Sequence, residues 1–172
     1  MDKLIFVYDK LMTAKEQALS SLDLEFIAFG QMRGKLYFLN DDKKRRMFAL
    51  PSKGNSTKLV YGGIFLLKNY EEKQYKIHAY YNNSIAFTGE TFIEDLFDMK
   101  EITVTPIKFV NLSQIEKNEY IKGEPVKCNC FVGNISNYKV QHSKKRGRYY
   151  RVQNVDAESF VQMIKDRSNC NE

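Results

Sequence analysis

Several residue types are scarce in this chain of 172 residues, which has no tryptophan, three prolines and three cysteines. Cys170 stands alone, and Cys128 and Cys130 are too close for an ordinary bridge or a two-cysteine zinc knuckle. No apolar stretch approaches the ~18 residues of a membrane span, and the run Leu4–Tyr8 is too short for a signal peptide. We therefore expect a cytoplasmic protein with no membrane partner, metal or cofactor.

Positive charge and aromatic rings are abundant instead. Lys and Arg outnumber Asp and Glu by 27 to 21, which gives a net charge of +6 and a pI of about 9.1. Such a surface attracts anions, whether nucleic acid, a phosphate-bearing metabolite or an acidic protein. The 11 tyrosines and 12 phenylalanines are expected mainly in core and cross-strand packing. A hydrophobic content of 43% suits one core, so we predict a single domain over residues 1–172.

The periodicity of apolar residues predicts an α+β fold in which strands dominate. Three helical patterns occur, at Met12–Leu22, Asn69–Tyr80 and Asp156–Asp166, and Thr13 with Glu16 forms a capping-box pattern. Turn residues separate the apolar strand segments, for example from Gly30 to Gly34. The predicted strands are Leu4–Tyr8, Phe26–Phe29, Lys35–Leu39, Leu59–Leu67, Ile102–Val110, Lys127–Val132 and Tyr149–Val152. Strands in this number can close into a small mixed β-barrel with flanking helices.

Four segments resemble, in order and spacing, the landmarks of the γ-glutamylcyclotransferase-like family. Phe6–Met12 is similar to its strand ending in a Tyr-Gly-Ser/Thr-Leu turn, and Gly30–Tyr37 to a glycine-flanked hairpin. Val60–Leu67 is similar to its third landmark strand, and Tyr75–Asn82 stands in place of the Leu-Asp-x-Tyr-Glu-Gly segment. The resemblance covers a core of residues 4–110, leaves 111–172 as a divergent extension, and implies the family's fold.

The resemblance also implies a chemistry, and this sequence departs from it at two points. In the family, the turn amides hold a glutamyl group while the glutamate moves a proton and 5-oxoproline is released. Tyr81 stands here at the glutamate position, and a phenol with a pKa of about 10 keeps its proton at neutral pH. Asp9 and Lys10 replace small turn residues, and Asp9 adds bulk and negative charge beside any incoming carboxylate. We therefore expect the fold without the reaction.

An active γ-glutamylcyclotransferase or γ-glutamylamine cyclotransferase stays open as an alternative. Glu90, Glu94 or Asp95 can supply the missing carboxylate if their loop folds over the site; otherwise they are solvated loop charges. His78 is a further base, or a packing residue on a helix.

Non-catalytic binding of a small anionic or nucleotide-like molecule is the first hypothesis. Tyrosine faces stack on planar rings, and asparagines orient a ligand through donors and acceptors. The run from Tyr80 to Ser84 also resembles family members from bacteriophages, which implies an accessory protein that sequesters a host signalling molecule. The residues expected to bind the ligand are Tyr8, Asp9, Lys10, Leu11, Arg33, Tyr80, Tyr81, Asn82 and Asn83.

A third hypothesis is nucleic-acid or protein binding by the basic stretch Lys139–Arg151, which holds six cations, no acidic residue and the pair Tyr149 and Tyr150. The same composition suits a solvated hairpin tip. A second cluster, Lys43–Arg46, is interpreted as another exposed loop, and two basic segments on one face would favour nucleic acid. The residues expected to contact it are Lys144, Lys145, Arg146 and Arg148.

Overall fold

The structure is a computed structural model that describes residues 1–41, 44–52, 57–82, 97–134, 148–151 and 158–167. For residues 38–41, 44–46, 148–151 and 158 it describes the backbone only. In chain order the elements are β1 (Lys3–Val7), a one-turn 3-10 helix (Lys10–Met12), α1 (Ala14–Leu19), β2 (Glu25–Asp41), β3 (Lys44–Pro51), β4 (Leu59–Leu67), α2 (Tyr70–Asn82), β5 (Phe97–Lys108), α3 (Leu112–Glu116), β6 (Ile121–Lys122), β7 (Val126–Gly133), β8 (Arg148–Arg151) and α4 (Glu158–Arg167).

Five of the strands close into a barrel. β1 pairs with β4 and β7, β4 pairs with β2, and β5 pairs with both β2 and β7. The β1–β7 pair is parallel and the other four pairs are antiparallel, so the barrel is mixed. The predicted α+β fold with a mixed barrel and flanking helices is confirmed. The ring closes through β7, which lies within the divergent extension 111–172.

β2 runs unbroken through the turn predicted from Gly30 to Gly34, so that turn, and the hairpin expected there, are wrong. Both glycines serve close packing within a strand. A Cβ at Gly30 would lie 2.8 Å from the Val104 side chain, and one at Gly34 would lie 2.7 Å from the backbone oxygen of Leu50. Composition alone does not separate a turn glycine from a glycine that another chain segment approaches closely.

β3 is absent from the sequence prediction because it begins with three cations rather than with apolar residues. The prediction of an exposed loop at Lys43–Arg46 is wrong from Lys44 onward, since Lys44 pairs with Asp41 and Arg46 with Leu39. β2 therefore has two roles. Its first half belongs to the barrel, and its second half is the middle strand of an antiparallel sheet in the order β3–β2–β8.

Alternating side chains of the barrel strands form two cores. On β1, Ile5 and Val7 belong to a cluster that includes residues of the helices, whereas Phe6 and Tyr8 belong to the cluster inside the barrel. Because the interior is filled by side chains, a ligand has to bind outside the lumen. The inner cluster comprises Phe6, Tyr8, Met32, Leu36, Ala49, Val60, Ile64, Ile102, Val104, Cys128, Cys130 and Val132.

The helices cover the outer face of the barrel. α1 is capped as predicted, since Thr13 Oγ1 accepts a hydrogen bond of 3.3 Å from the backbone N–H of Glu16. α2 ends two residues beyond its predicted limit at Tyr80, and α4 places Phe160 in the outer core. The expected cap Asp156 lies outside the described residues, and the sequence does not predict α3 or β6. None of the helices described is long and apolar enough to cross a membrane.

Candidate functional site

The candidate site is the barrel mouth, which we define as the first turn, Tyr8 to Met12, together with Tyr80, Tyr81 and Asn82 at the end of α2. The turn leaves the end of β1 and tightens into the 3-10 helix, with Asp9 as its N-cap. Asp9 Oδ1 accepts a hydrogen bond of 3.2 Å from the Leu11 backbone N–H. An aspartate therefore suits the position that the resemblance assigns to glycine, because aspartate is a preferred helix N-cap.

Tyr81 joins the other side of the mouth to this turn. Its hydroxyl donates to Asp9 Oδ1 at 3.2 Å, and its ring stacks on Phe131 with centroids 4.4 Å apart and planes at 11°. The residue is 1% exposed and Asp9 is 8% exposed. Burial, followed by the negative charge of Asp9, raises the pKa of Tyr81 well above its usual value. The phenol is consequently a proton-bearing donor at neutral pH.

Tyr80, the preceding residue, makes a parallel contact nearer to solvent. Its hydroxyl donates to Glu16 Oε1 at 3.1 Å, and the Lys10 ammonium lies 3.6 Å from the same oxygen. The side chains of Lys10 and Glu16 are 63% and 20% exposed. Two consecutive tyrosines thus engage two carboxylates of the first turn and α1, one pair buried and the other at the rim.

Tyr8 and Leu11 are core residues of the turn. The Tyr8 hydroxyl donates to the Phe131 carbonyl at 2.7 Å and accepts from the Ala49 N–H at 2.9 Å. Tyr8 is 1% exposed and Leu11 is fully buried. These two hydrogen bonds tie the end of β1 to β7 and β3, which fixes the backbone of the turn.

Asn82 closes the mouth through backbone contacts. Its side chain accepts from the Phe97 N–H at 3.2 Å and donates to the Phe97 carbonyl at 3.4 Å, so it holds the end of α2 against the start of β5. Asn83 lies outside the described residues, as do the residues weighed as substitutes for the family glutamate: Glu90, Glu94 and Asp95.

Arg33 lies on β2 and is exposed. The pairings Val7 with Gly63 and Gly63 with Phe29 put the end of β1 level with Phe29. Arg33 is four residues further along β2, which is about 13 Å of strand. The predicted residues that the structure brings together are therefore those of the first turn and of α2.

His78 and the inner cysteines are packing groups of the same region. The His78 ring meets the Phe131 ring edge to face with centroids 4.9 Å apart. Burial raises the pKa of the Cys128 thiol to about 11. Burial, followed by the charge of Asp9, raises the pKa of the Cys130 thiol well above its usual value. Both thiols are free and protonated at neutral pH.

Sequence reasoning missed two members of the site, Glu16 and Gln17. Glu16 was interpreted only as part of a helix cap, and it also meets Tyr80 and Lys10 at the rim. Gln17, which is 7% exposed, donates to the Leu11 carbonyl at 3.0 Å and holds the first turn against α1. The capping-box pattern was the available signal for Glu16, and no motif pointed to Gln17. Within the described ranges, no three His, Cys, Asp or Glu side chains are grouped so as to hold a metal ion.

Solved structures that resemble this chain include the following three, each with its identity, coverage and TM-score. An uncharacterised protein from Homo sapiens, loc79017, is 12% identical with a TM-score of 0.55 over 96% of this chain and 79% of its own. A structure described as gamma-glutamyl cyclotransferase is 14% identical with a TM-score of 0.49 over 78% of this chain and 68% of its own. YkqA from Bacillus subtilis is 12% identical with a TM-score of 0.43 over 78% of this chain and 36% of its own.

No family model and no curated protein matches the chain. Identities this low show the fold alone, and among these structures the human protein has a TM-score above one half. The chain has the predicted closed mixed barrel with flanking helices, and it shares its fold with the human protein.

Proposed function

We propose that this protein binds a small molecule at the barrel mouth and does not convert it. The observation that supports this is the buried hydrogen bond from the Tyr81 hydroxyl to Asp9 Oδ1, at 3.2 Å. By resemblance, these two positions belong to the proton-transferring glutamate and to the turn that holds the substrate. In this chain the two side chains are hydrogen-bonded to each other.

Each carboxylate in the described part of the mouth already accepts a structural hydrogen bond through one oxygen. Tyr81 keeps its proton because burial and the charge of Asp9 raise its pKa. Asp9 Oδ1 already accepts from the Leu11 N–H and from Tyr81, and Glu16 Oε1 accepts from Tyr80 beside the Lys10 ammonium. A general base must have a lone pair within reach of the proton that it removes. Both carboxylates at this mouth stabilise structure instead.

The rim supplies the contacts for a ligand. The half-buried ring of Tyr80 offers an aromatic face, and Lys10 offers an ammonium that is largely exposed. The positive net charge favours the anionic or nucleotide-like ligand expected from the sequence. Because Lys10 is paired with Glu16, the rim carries both signs, and an amino-acid-like zwitterion also fits it.

A thermal-shift screen against nucleotides and γ-glutamyl compounds tests the proposal. A ligand present at 100 times its Kd stabilises the native state by about 2.7 kcal/mol, which raises the Tm of a chain of this size by about 5–11 °C. We expect Lys10→Ala and Tyr80→Leu to reduce the shift. The exposed Lys117, on a different surface after α3, provides the matched control Lys117→Ala, which should leave the shift intact.

Two results would contradict the proposal. One is a complete panel in which no compound stabilises the protein. The other is a stabilising compound whose effect is the same in Lys10→Ala, Tyr80→Leu and the parent protein.

The resemblance to bacteriophage-encoded members suggests a use for such binding. A protein that holds a host signalling molecule without converting it lowers the free concentration of that molecule. This role predicts that the stabilising compound is a signalling nucleotide, and that it is recovered unaltered from the complex by mass spectrometry. A stabilising γ-glutamyl compound with no response to any nucleotide would contradict the role while leaving the binding proposal in place.

A further inference from the structure

The β3–β2–β8 sheet brings together two basic segments that lie about a hundred residues apart in the sequence. β3 begins with Lys44, Arg45 and Arg46, and β8 begins with Arg148 and ends with Arg151. Both strands pair with the second half of β2, one on each side. From the sequence, Lys43–Arg46 is expected to be an exposed loop and Lys139–Arg151 to be a basic stretch that runs into a strand. The topology puts the described part of each segment beside β2 in one sheet.

The pairing register defines rows across this sheet. Asn40 of β2 pairs with Arg45 on one side and with Arg148 on the other. One residue further back, Leu39 pairs with Arg46 and with Tyr149. Residues in one row share a face of a sheet and successive rows alternate between faces, so each face carries cations of this group.

Charge is concentrated here beyond what the composition requires. The paired residues 37–41, 44–48 and 148–151 include five cations and a single carboxylate, Asp41, which is a net charge of +4. The whole chain carries +6. Strands about 4.8 Å apart put the Cα atoms of Arg45 and Arg148 about 10 Å apart across β2. Five cations against one carboxylate among these paired residues favour a polyanionic partner.

Aromatic residues in the same rows distinguish among polyanions. Tyr149 and Tyr150 separate the two arginines of β8, and Phe38 pairs with Tyr150. Rings between cations on a sheet suit single-stranded nucleic acid, whose exposed bases stack on aromatic side chains while its phosphates meet Lys and Arg. An acidic protein segment would use the charges and leave the rings without a role.

We propose that the β3–β2–β8 sheet is a surface that binds single-stranded nucleic acid. At its base, Tyr37 stacks on the fully buried Phe48, with centroids 5.4 Å apart, so the sheet is anchored to the barrel by apolar packing. The proposed contacts belong to other residues than the barrel mouth. A test of one proposal therefore does not decide the other.

Fluorescence anisotropy with a labelled 15-residue oligothymidylate tests the surface in the full chain. Each phosphate contact contributes about 0.7 to the slope of log K against log salt for a single strand. Arg45 and Arg148 lie on one face, and Lys44, Arg46 and Arg151 lie on the other. A strand on one face therefore allows a slope as steep as about −1.4 or about −2.1. We expect Arg45→Gln with Arg148→Gln to reduce the magnitude of the slope by about 1.4 and to weaken binding about 25-fold in 0.1 M salt. The control pair Lys100→Gln with Lys117→Gln removes the same charge from exposed positions on β5 and after α3, and should change binding little.

A second pair, Lys44→Gln with Arg151→Gln, removes two cations from the opposite face of the sheet, so the pair that weakens binding identifies the face that binds. Retained secondary structure and Tm identify the folded variants. Three results would overturn the proposal: no binding of the oligonucleotide at low salt, equal losses in the sheet variants and the control pair, or binding of polyglutamate in preference to the oligonucleotide. The last result would assign the surface to an acidic protein.

Discussion

Replacing Tyr81 by phenylalanine removes one oxygen from the barrel mouth and keeps the ring. The lost hydrogen bond runs from a hydroxyl to a carboxylate at 3.2 Å, between residues that are 1% and 8% exposed. Hydrogen bonds to charged groups contribute about 1.5–3 kcal/mol to stability. Because the ring can keep its stacking on Phe131, we assign that whole range to the hydrogen bond. For a chain of this size it corresponds to a fall in Tm of about 3–12 °C.

The neighbouring residue supplies a matched control. Tyr80→Phe removes the same hydroxyl from a hydrogen bond to a carboxylate, that of Glu16, at 3.1 Å. Water reaches both partners of this pair, because Tyr80 is half-buried and the Glu16 side chain is 20% exposed. We therefore expect Tyr80→Phe to cost about 0.5–1 kcal/mol, at the lower end for a solvated hydrogen bond.

Urea unfolding of the two variants, with a double-mutant cycle that adds Asp9→Asn, is the assay. The cycle should give an interaction free energy between Tyr81 and Asp9 of about 0.5–3 kcal/mol. Asparagine is also a preferred N-cap, so the first turn should keep its shape in Asp9→Asn. The reasoning is refuted if Tyr81→Phe costs no more than Tyr80→Phe, or if Tyr81→Phe costs the same in the parent and in Asp9→Asn.

Three further predictions concern packing, thiol chemistry and pH. Gly62→Ala places a Cβ 2.3 Å from a backbone oxygen of β1 and should destabilise the native protein by about 1–3 kcal/mol or more in the same urea assay. The control Gly123→Ala places a Cβ no nearer than 3.5 Å to any other atom and should change stability by less than about 0.5 kcal/mol. The variant Cys170→Ser leaves Cys128 and Cys130, whose thiols are both buried. Because the pKa of Cys128 is raised to about 11, a disulfide reagent at pH 8 should label this variant only as it unfolds. The raised pKa of Tyr81 means that native protein keeps a proton that the unfolded chain releases at about pH 10. That contribution to stability is complete below this pH and is lost as the pH rises above it. In an absorbance titration the buried phenols, that of Tyr81 among them, should therefore ionise only with unfolding.

The sequence predicted the fold where apolar periodicity and burial coincide. Leu59–Leu67 is predicted as a strand and observed with the same limits, because β4 is buried on both faces and reads as a continuous apolar run. The capping box at Thr13 is likewise local, since it depends on residues three positions apart.

The errors arose where tertiary contacts decide. Gly30 and Gly34 read as turn residues, yet both are glycine because a side chain or another strand approaches within 3 Å of where their Cβ would be. β3 begins with three cations and becomes a strand by pairing with β2. Neither cause is visible within a window of a few residues.

At the barrel mouth, too, the sequence predicted the residues but not their tertiary contacts. The sequence singled out Asp9 and Tyr81 as departures from a resembled pattern, at positions 72 residues apart in the chain. Their hydrogen bond is a tertiary contact, which the sequence does not reveal. It links the two departures from the family pattern, so that they form one paired change. The sequence treated Tyr8 as a ligand contact, whereas its hydroxyl bridges β7 and β3 through backbone atoms that no motif names.

The most direct test of whether the mouth binds a ligand without converting it is an assay for 5-oxoproline. Mass spectrometry would measure its release from γ-glutamyl amino acids and γ-glutamylamines. The proposal predicts no release above the protein-free blank by the parent protein, including at substrate concentrations that raise its Tm. Release by the parent protein that disappears in Glu90→Gln or in Glu94→Gln would contradict it, and would assign the proton transfer to one of these two carboxylates.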